Sequence, residues 1–347
     1  MLDLVTAFSL DRWDLLGLEL HWLESVASGV TSPVLLICAT PGRTVSVGRY
    51  HLYGGVEERG GIVATRRLTG GRVTGAGEGW LQLVLILPHR TALLPERDTH
   101  LRPEQSMNRY ARGVLFGLRG LGLDGFYPGR DAITLTQREI AMCSMETGAS
   151  GSMLFETLIA VNRGMEEVVH DLERFDPVGA LACPLYGPDH ATKLVRELDR
   201  DVSLDELATA LSRGHGELLG ETRIRELTAD ELAHAAHRGR ALKDSGWLAR
   251  TADPDQFNRV ARITSQLGAV ELRLAVSSGD RVERAMISGD VIANSAGIAT
   301  FERELAVRRL ELAAVSQAVM RAYGDGQNYV LGLGDLANLP KLVMRAQ

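Results

Sequence analysis

Apolar residues fall at helical spacing between positions 9 and 28. Leu10, Trp13, Leu16, Leu20 and Leu23 share one face, and Ser9 precedes them as a candidate N-cap. "PVLLICAT" and "TVSVGRY" then predict two strands joined by a turn at Pro41 and Gly42. "GIVATRRL" predicts a third strand. "WLQLVLILP" predicts a fourth, so nearly unbroken in apolar residues that both its faces should be buried. A helix follows in "RPEQSMNRYARGVLFGLRGLG", then strands in "DAITLT", "REIAMCSME" and "MLFETLIAVN". Helices are expected in "GMEEVVHDLERF", "SLDELATALSRGHGELL" and "TADELAHAAHRGRAL". Runs of strands followed by helices, with several hairpin-like neighbours, point to an α+β fold with a mixed sheet rather than a strict βαβ alternation.

Turn residues concentrate in "SGWLARTADPDQF", which sets a boundary: a first domain over residues 1–245, a linker over 246–257, and a small unit over 258–347. In the last, "AVELRLAV" and "RVERAMISGDVI" form a hairpin around Gly279 and Asp280, and "FERELAVRRL" and "ELAAVSQAVMRAY" are helical, a ββαα arrangement.

Composition narrows the function. An apolar content of 45% supports a sizeable core, and a net charge of -6 excludes the basic face of a nucleic-acid binder. Lys193, Lys243 and Lys341 are the only lysines, so any lysine-dependent chemistry has three candidates. Cys38, Cys143 and Cys183 have neither the spacing of a disulfide framework nor that of a zinc site, which points to a reducing cytoplasm. The acidic N-terminus lacks the positive start of a signal peptide, and no apolar run reaches membrane-spanning length, so no membrane partner is expected.

The chemistry concentrates in "RRLTGGRVTGAGEG". Five glycines follow two adjacent arginines within fourteen residues. Gly70 and Gly71 let a ligand approach the backbone, and free N–H groups there would form an anion-binding concavity. On a strand Arg66 and Arg67 point to opposite faces, so only one can serve that concavity. No lysine followed by Ser or Thr is present, which rules out a P-loop. The alternative is a structural hairpin between two strands.

The succession "TVSVGR", "RRLTGGRV", an apolar strand, "GRDAITLTQREIA" and "LFETLIAVN" resembles the lipoate–protein ligase and octanoyltransferase family, related to biotin–protein ligases. The resemblance covers residues 30 to 200, and "GDRVERAMISGDVI" with its helices resembles the small accessory domain of bacterial lipoate ligases. It implies a biotin/lipoate ligase-like mixed-sheet domain followed by the accessory domain. It also implies a lipoyl or octanoyl substrate, ATP with Mg²⁺ in the ligase branch, and transfer to a lysine of a lipoyl carrier domain or an H-protein-like carrier. By this match Gly48, Arg49, Arg67, Thr69, Gly70, Gly71 and Thr192 contact the substrate.

The match fails at the chemistry. The family expects a histidine at Ala76 and a catalytic lysine at Glu139, and it often carries a histidine near Phe155 and Glu156. The sixteen residues from Glu139 to Phe155 keep the family spacing. A carboxylate has the wrong sign to stabilise an acyl-adenylate, and Arg138 points to the other face of its strand. If Glu139 is buried it needs a partner among Arg49, Arg67 and Arg72. Two residues are the candidate replacements: Lys193, beside Thr192 in "HATKL", and Cys183, placed where the octanoyltransferase branch carries its nucleophile. For Cys183 a small apolar filler is the competing reading, and Cys143 reads as filler outright. His51 is a further candidate contact. His234 and His237 are three apart on a helix but lack a third ligand, so no metal is expected. Two classes remain: an acyltransferase with an altered site, or a non-catalytic relative that binds an acyl group or docks a carrier. Whether a second subunit supplies the missing residues stays open.

Overall fold

The computed structural model describes residues 1–95, 101–175, 189–306, 308–333 and 335–346 of the chain. The first elements are β1 (Leu2–Ala7), α1 (Arg12–Ala27), β2 (Val34–Cys38), β3 (Arg43–Val47), β4 (Glu58–Arg59), β5 (Ile62–Arg66), β6 (Thr74–Gly77) and β7 (Trp80–Leu87). Next come α2 (Pro103–Gly120), β8 (Gly125–Phe126), β9 (Ala132–Leu135), β10 (Arg138–Thr147), β11 (Met153–Ala160) and α3 (Met165–Phe175). Then follow α4 (Leu194–Leu198), α5 (Leu204–Leu219), β12 (Thr222–Ile224) and α6 (Ala229–Asp244). The last are β13 (Arg259–Thr264), β14 (Ala269–Val276), β15 (Val282–Gly289), β16 (Ile292–Ala293), α7 (Ser295–Leu305), α8 (Leu312–Tyr323), β17 (Val330–Leu331) and α9 (Asn338–Arg345).

Eight strands form a mixed sheet in the order β12-β1-β2-β7-β11-β10-β9-β8. Its centre is β7 and β11, antiparallel, whose long apolar runs are buried on both faces as the sequence requires. Directly paired residues share a face, so Leu36, Val84, Glu156 and Ser144 point one way and Leu35, Leu85, Phe155 and Met145 the other. On the second face α2 brings Tyr110 against Phe155, ring centroids 6.0 Å apart, with α5 behind it. The first face carries α1 and a four-stranded sheet in the order β4-β5-β3-β6.

Two close helix crossings brace this sandwich. A Cβ on Gly17 of α1 would lie 2.1 Å from the Ala235 carbonyl of α6, and one on Gly239 would lie 2.4 Å from that of Trp13. Between α2 and α5, a Cβ on Gly214 would lie 2.3 Å from the Gly113 carbonyl, while one on Gly113 would meet the His215 ring at 2.6 Å. The Trp22 indole also donates to Glu231 across the α1–α6 crossing, at 2.7 Å.

Buried apolar side chains fall into two clusters. One is drawn almost wholly from residues 2–248, the other from Tyr50 and residues 261–346. The second contains more than the expected ββαα. β13, "RVARIT", adds a third antiparallel strand beside β14, and α9 adds a third helix. Other differences are local. Asp11, not Ser9, caps α1, because its carboxylate accepts from the Trp13 N–H at 2.8 Å. Helix α7 starts at Ser295, ahead of the expected Phe301, and ends at Leu305. β1 was absent from the sequence reading and runs parallel to both β2 and β12.

Candidate active site

Loop 67–73 is no hairpin turn. β5 and β6 both flank β3, one parallel and one antiparallel, so the loop must arch over the end of β3. It is tied there by Arg67 N–H to the Val47 carbonyl (3.0 Å) and Arg49 N–H to that of Thr69 (2.9 Å). A Cβ at Gly48 would strike the Gly71 carbonyl at 2.1 Å, which explains glycine after β3. Gly71 has φ of 86°, which favours glycine.

Strand alternation separates the two arginines as expected. Arg67 turns toward the central sheet and donates to the carbonyls of Ser46, Gly70 and Arg72, each at 2.8 Å. Its Nε lies 3.5 Å from Glu156. Glu156 accepts from the Thr69 hydroxyl (2.5 Å) and from the Gln82 amide (2.7 Å), which also reaches Glu19 at 3.4 Å. Burial is the main cause that raises the carboxyl pKa of both Glu156 and Glu19, with Arg67 opposing it in each. Gln82 and Glu19, which no sequence motif marks, are brought in by β7 and α1 on the same face of the sheet.

Glu139 sits at the start of β10, before a bulge that ends at Ala141. Of the three arginines offered as partners, Arg72 is the one used: its Nη2 donates to both carboxylate oxygens at 2.8 and 2.9 Å, while its Nε donates to Asp131 at 2.6 Å. All three side chains are buried. Burial, helped by Asp131, outweighs the Arg72 attraction and pushes the Glu139 carboxyl up to about 7. Arg138 points away, as alternation requires, and donates to Glu197 at 2.8 Å.

The backbone of Glu139 holds the segment that follows on its outer side. Its N–H donates to His190, and its carbonyl accepts from Thr192 N–H, both at 2.8 Å. Thr192 is therefore beside Glu139 in the chain-to-chain pairing, although its hydroxyl donates to Glu197. Lys193 is half-buried, with Nζ 3.0 Å from Glu167. Cys183 lies outside the described residues. Cys143 is buried in β10 with its Sγ 3.5 Å from the Thr157 hydroxyl, and burial pushes its thiol up to about 12. Ala76 and Phe155 are buried apolar groups.

The C-terminal cluster closes over the loop. Gly71 N–H, one of the anion-facing donors expected from sequence, donates to the Val291 carbonyl at 2.7 Å. A Cβ at Gly70 would lie 2.0 Å from that same oxygen. Around this contact His51 Nε2 lies 3.1 Å from Asp290, the Tyr50 hydroxyl donates to Ala293 (3.0 Å), and Glu146 accepts from Ser295 N–H (2.8 Å). Glu146 is pushed up to about 7, first by burial, with Arg49 and Ser295 pulling it down. Gly48, Arg67, Thr69, Gly70 and Gly71 are thus brought together and buried, while Arg49 turns its guanidinium over the Trp247 ring, 5.0 Å from the centroid. His234 stacks on His21 at 4.4 Å, and no cluster of three metal-ligating side chains occurs among the described residues. No helix of the described residues is long and apolar enough to cross a membrane.

This fold is shared with solved lipoate–protein ligase structures. The P. falciparum protein LipL1, solved in complex with lipoate, superposes with a TM-score of 0.71 at 13% identity, covering 99% of this chain and 100% of that one. Lipoate-protein ligase A bound with ATP gives 0.52 at 18% identity over 71% and 96% of the two chains. The bi-partite lipoate protein ligase of Thermoplasma acidophilum, described with its E2 lipoyl domain, gives 0.51 at 18% identity over 73% and 99%. No protein-family model and no curated protein matches the sequence. At these identities the likeness establishes the fold, and the activity has to be argued from the site.

Proposed function

We propose that this chain is an acyltransferase of lipoate–protein ligase type that handles lipoyl or octanoyl groups on a lipoyl carrier domain without making an acyl-adenylate. The observation that carries this reading is Glu139, bidentate to Arg72 and joined there by Asp131. Where the resemblance calls for a free cation, one guanidinium is shared by two carboxylates. An adenylate phosphate about 4 Å from the excess negative charge would be repelled by about 4 kcal/mol at an effective dielectric of about 20. A thioester donor carries no charge at its acyl carbon and escapes this penalty. Transfer then forms an amide between the acyl carbon and the carrier lysine nitrogen, breaks the C–S bond, and passes the amine proton to the departing thiolate.

The proposal includes Cys183 as the covalent relay, with Gly48, Arg49, Arg67, Thr69, Gly70, Gly71 and Thr192 around the acyl group. It also includes residues 258–347 as an accessory domain joined through 246–257. Neither Glu139 nor Lys193, which is committed to Glu167, acts as the family lysine. The test mixes the protein with an octanoyl-carrier donor and an apo lipoyl domain, and follows intact masses. Octanoylation of the acceptor, with an adduct on the enzyme that Cys183→Ser removes, supports the reading. Robust lipoate-dependent ATP–pyrophosphate exchange overturns it. A second reading, carrier docking without catalysis, is favoured by the Val291 carbonyl at Gly71. Saturable carrier binding with no acyl transfer identifies it.

A further inference from the structure

Behind the glycine loop, on the side of β5 away from Glu156, lies a groove of about 390 Å³ walled by Arg49, Tyr50, Arg66, Trp247 and Arg250. Three guanidinium groups meet there, and their hydrogen bonds go to carbonyls. Arg66 is buried; its Nε donates to Leu248 (3.0 Å) and its Nη1 to Gly48, Arg49 and His51 (2.8 to 3.0 Å). Its Nη2 is buried with no hydrogen-bond partner among the described residues. Arg250 donates to the carbonyls of Tyr50 and Ile287. Arg49 donates to Leu68, covers Trp247, and has Glu146 at 3.9 Å.

Carbonyl oxygens orient a guanidinium but carry only partial charge. Among the described residues Glu146, beside Arg49, is the carboxylate within ion-pair distance of the three; Glu302 acts on Arg250 from farther away. Burial together with Arg250, Arg67 and Arg49 pulls the Arg66 guanidinium down to about 9, which is what uncompensated positive charge does. Buried cations without anions are costly, and structures that retain them commonly use them on a ligand.

We propose that this groove binds a small phosphate-type oxyanion, either inorganic phosphate or a phosphomonoester, held between Arg49 and Arg250 above Arg66. Two guanidinium forks on separate walls suit a tetrahedral ion with acceptors on several sides better than a carboxylate, whose oxygens lie in one plane. The ion's charge of about -1.5 to -2 at pH 7 also matches the excess on the walls. Because Arg250 ties turn 245–250 to Tyr50 and to β15, an ion here braces the linker against both sheets. Arg49 is also placed around the acyl group above, so Arg250, which has no part in that chemistry, is the residue that separates the two readings.

The test is calorimetric titration of the full chain at constant ionic strength with inorganic phosphate, phosphoserine and succinate in turn, with Tm followed in parallel. Saturable one-to-one binding of phosphate or phosphoserine, at least tenfold tighter than succinate, is expected. Arg250→Gln and Arg49→Gln should each weaken it at least tenfold, and Arg250→Lys less, whereas Arg200→Gln on the exposed surface should leave it unchanged. Circular dichroism establishes which variants are folded. If both glutamine variants unfold, phosphorus-31 line broadening by the wild type decides. Absence of saturable phosphate binding, equal binding of succinate, or unchanged affinity in a folded Arg250→Gln or Arg49→Gln protein overturns the proposal.

Discussion

Replacing Glu139 by the lysine of the resemblance is the substitution that interrogates the site most directly, and the structure predicts that by itself it is harmful. At pH 8 Glu139 is ionised and faces the Arg72 guanidinium at 2.8 Å. Charges about 4 Å apart at an effective dielectric of about 20 attract by about 4 kcal/mol, and a lysine ammonium in place of the carboxylate turns attraction into repulsion of similar size. Asp131 still holds Arg72 at 2.6 Å and absorbs part of the change. The expected cost of Glu139→Lys is therefore about 4 kcal/mol, the range seen when one partner of a buried pair is removed. Glu139→Gln keeps the shape and an acceptor without a buried charge, and should stay within about 1 kcal/mol of the wild type. The double change Glu139→Lys with Arg72→Gln leaves one lysine opposite Asp131 and should recover at least about 2 kcal/mol over the single lysine variant. Urea denaturation of these variants and the wild type at pH 8 gives the numbers. Equal stabilities for Glu139→Lys and Glu139→Gln would refute the reasoning, because the two charges would then not face each other in a dry site. ATP–pyrophosphate exchange with lipoate should be absent in the wild type and is worth measuring again only in the double variant.

Glu139 and Glu146, both pushed up from 4.5 to about 7, bind protons more tightly folded than unfolded. Their contribution is full below about 4.5 and is lost as pH rises through 7, by on the order of 3 kcal/mol for Glu146, so urea midpoints should fall between pH 5.5 and 8 and Glu146→Gln should flatten the fall. Gly70→Ala puts a methyl 2.0 Å from the Val291 carbonyl and should speed amide exchange over residues 289–295 at least tenfold; unchanged protection would show that the loop yields instead. Prolonged dialysis against a chelator should leave Tm unmoved, since no three metal-ligating side chains converge among the described residues; a drop of several degrees would reveal a structural ion.

The long apolar strands were legible because β2, β7, β10 and β11 are buried on both faces and sequence records that burial directly. β6 was not, for "TGAG" has no strand propensity and is strand only through its pairing with β3. "RVARIT" has no period-two pattern and is strand only through its pairing with β14. In the site, the Arg72–Glu139 pair could be anticipated because a buried carboxylate demands a cation and the loop offered few. The Glu19–Gln82–Glu156 group could not, since its members come from α1, β7 and β11 and meet only when the sheet is assembled. Nor could the closure at Gly71, where the partner is a main-chain carbonyl that any residue could supply.

The glycines that face each other between α1 and α6, and between α2 and α5, constrain how this chain can diverge. A larger residue at Gly17, Gly239 or Gly214 meets main chain, which no neighbouring side chain can shrink to accommodate, whereas one at Gly113 meets the His215 ring. A lineage cannot reach a larger pair through one tolerated change and then a second; the intermediate already spreads the helices. Relatives that lack Gly17, Gly214 or Gly239 must therefore space the helix pairs differently over the sheet. Sequences of this protein's own lineage should hold Gly17, Gly214 and Gly239 fixed even where the ligand loop and the carboxylates around Arg72 have drifted.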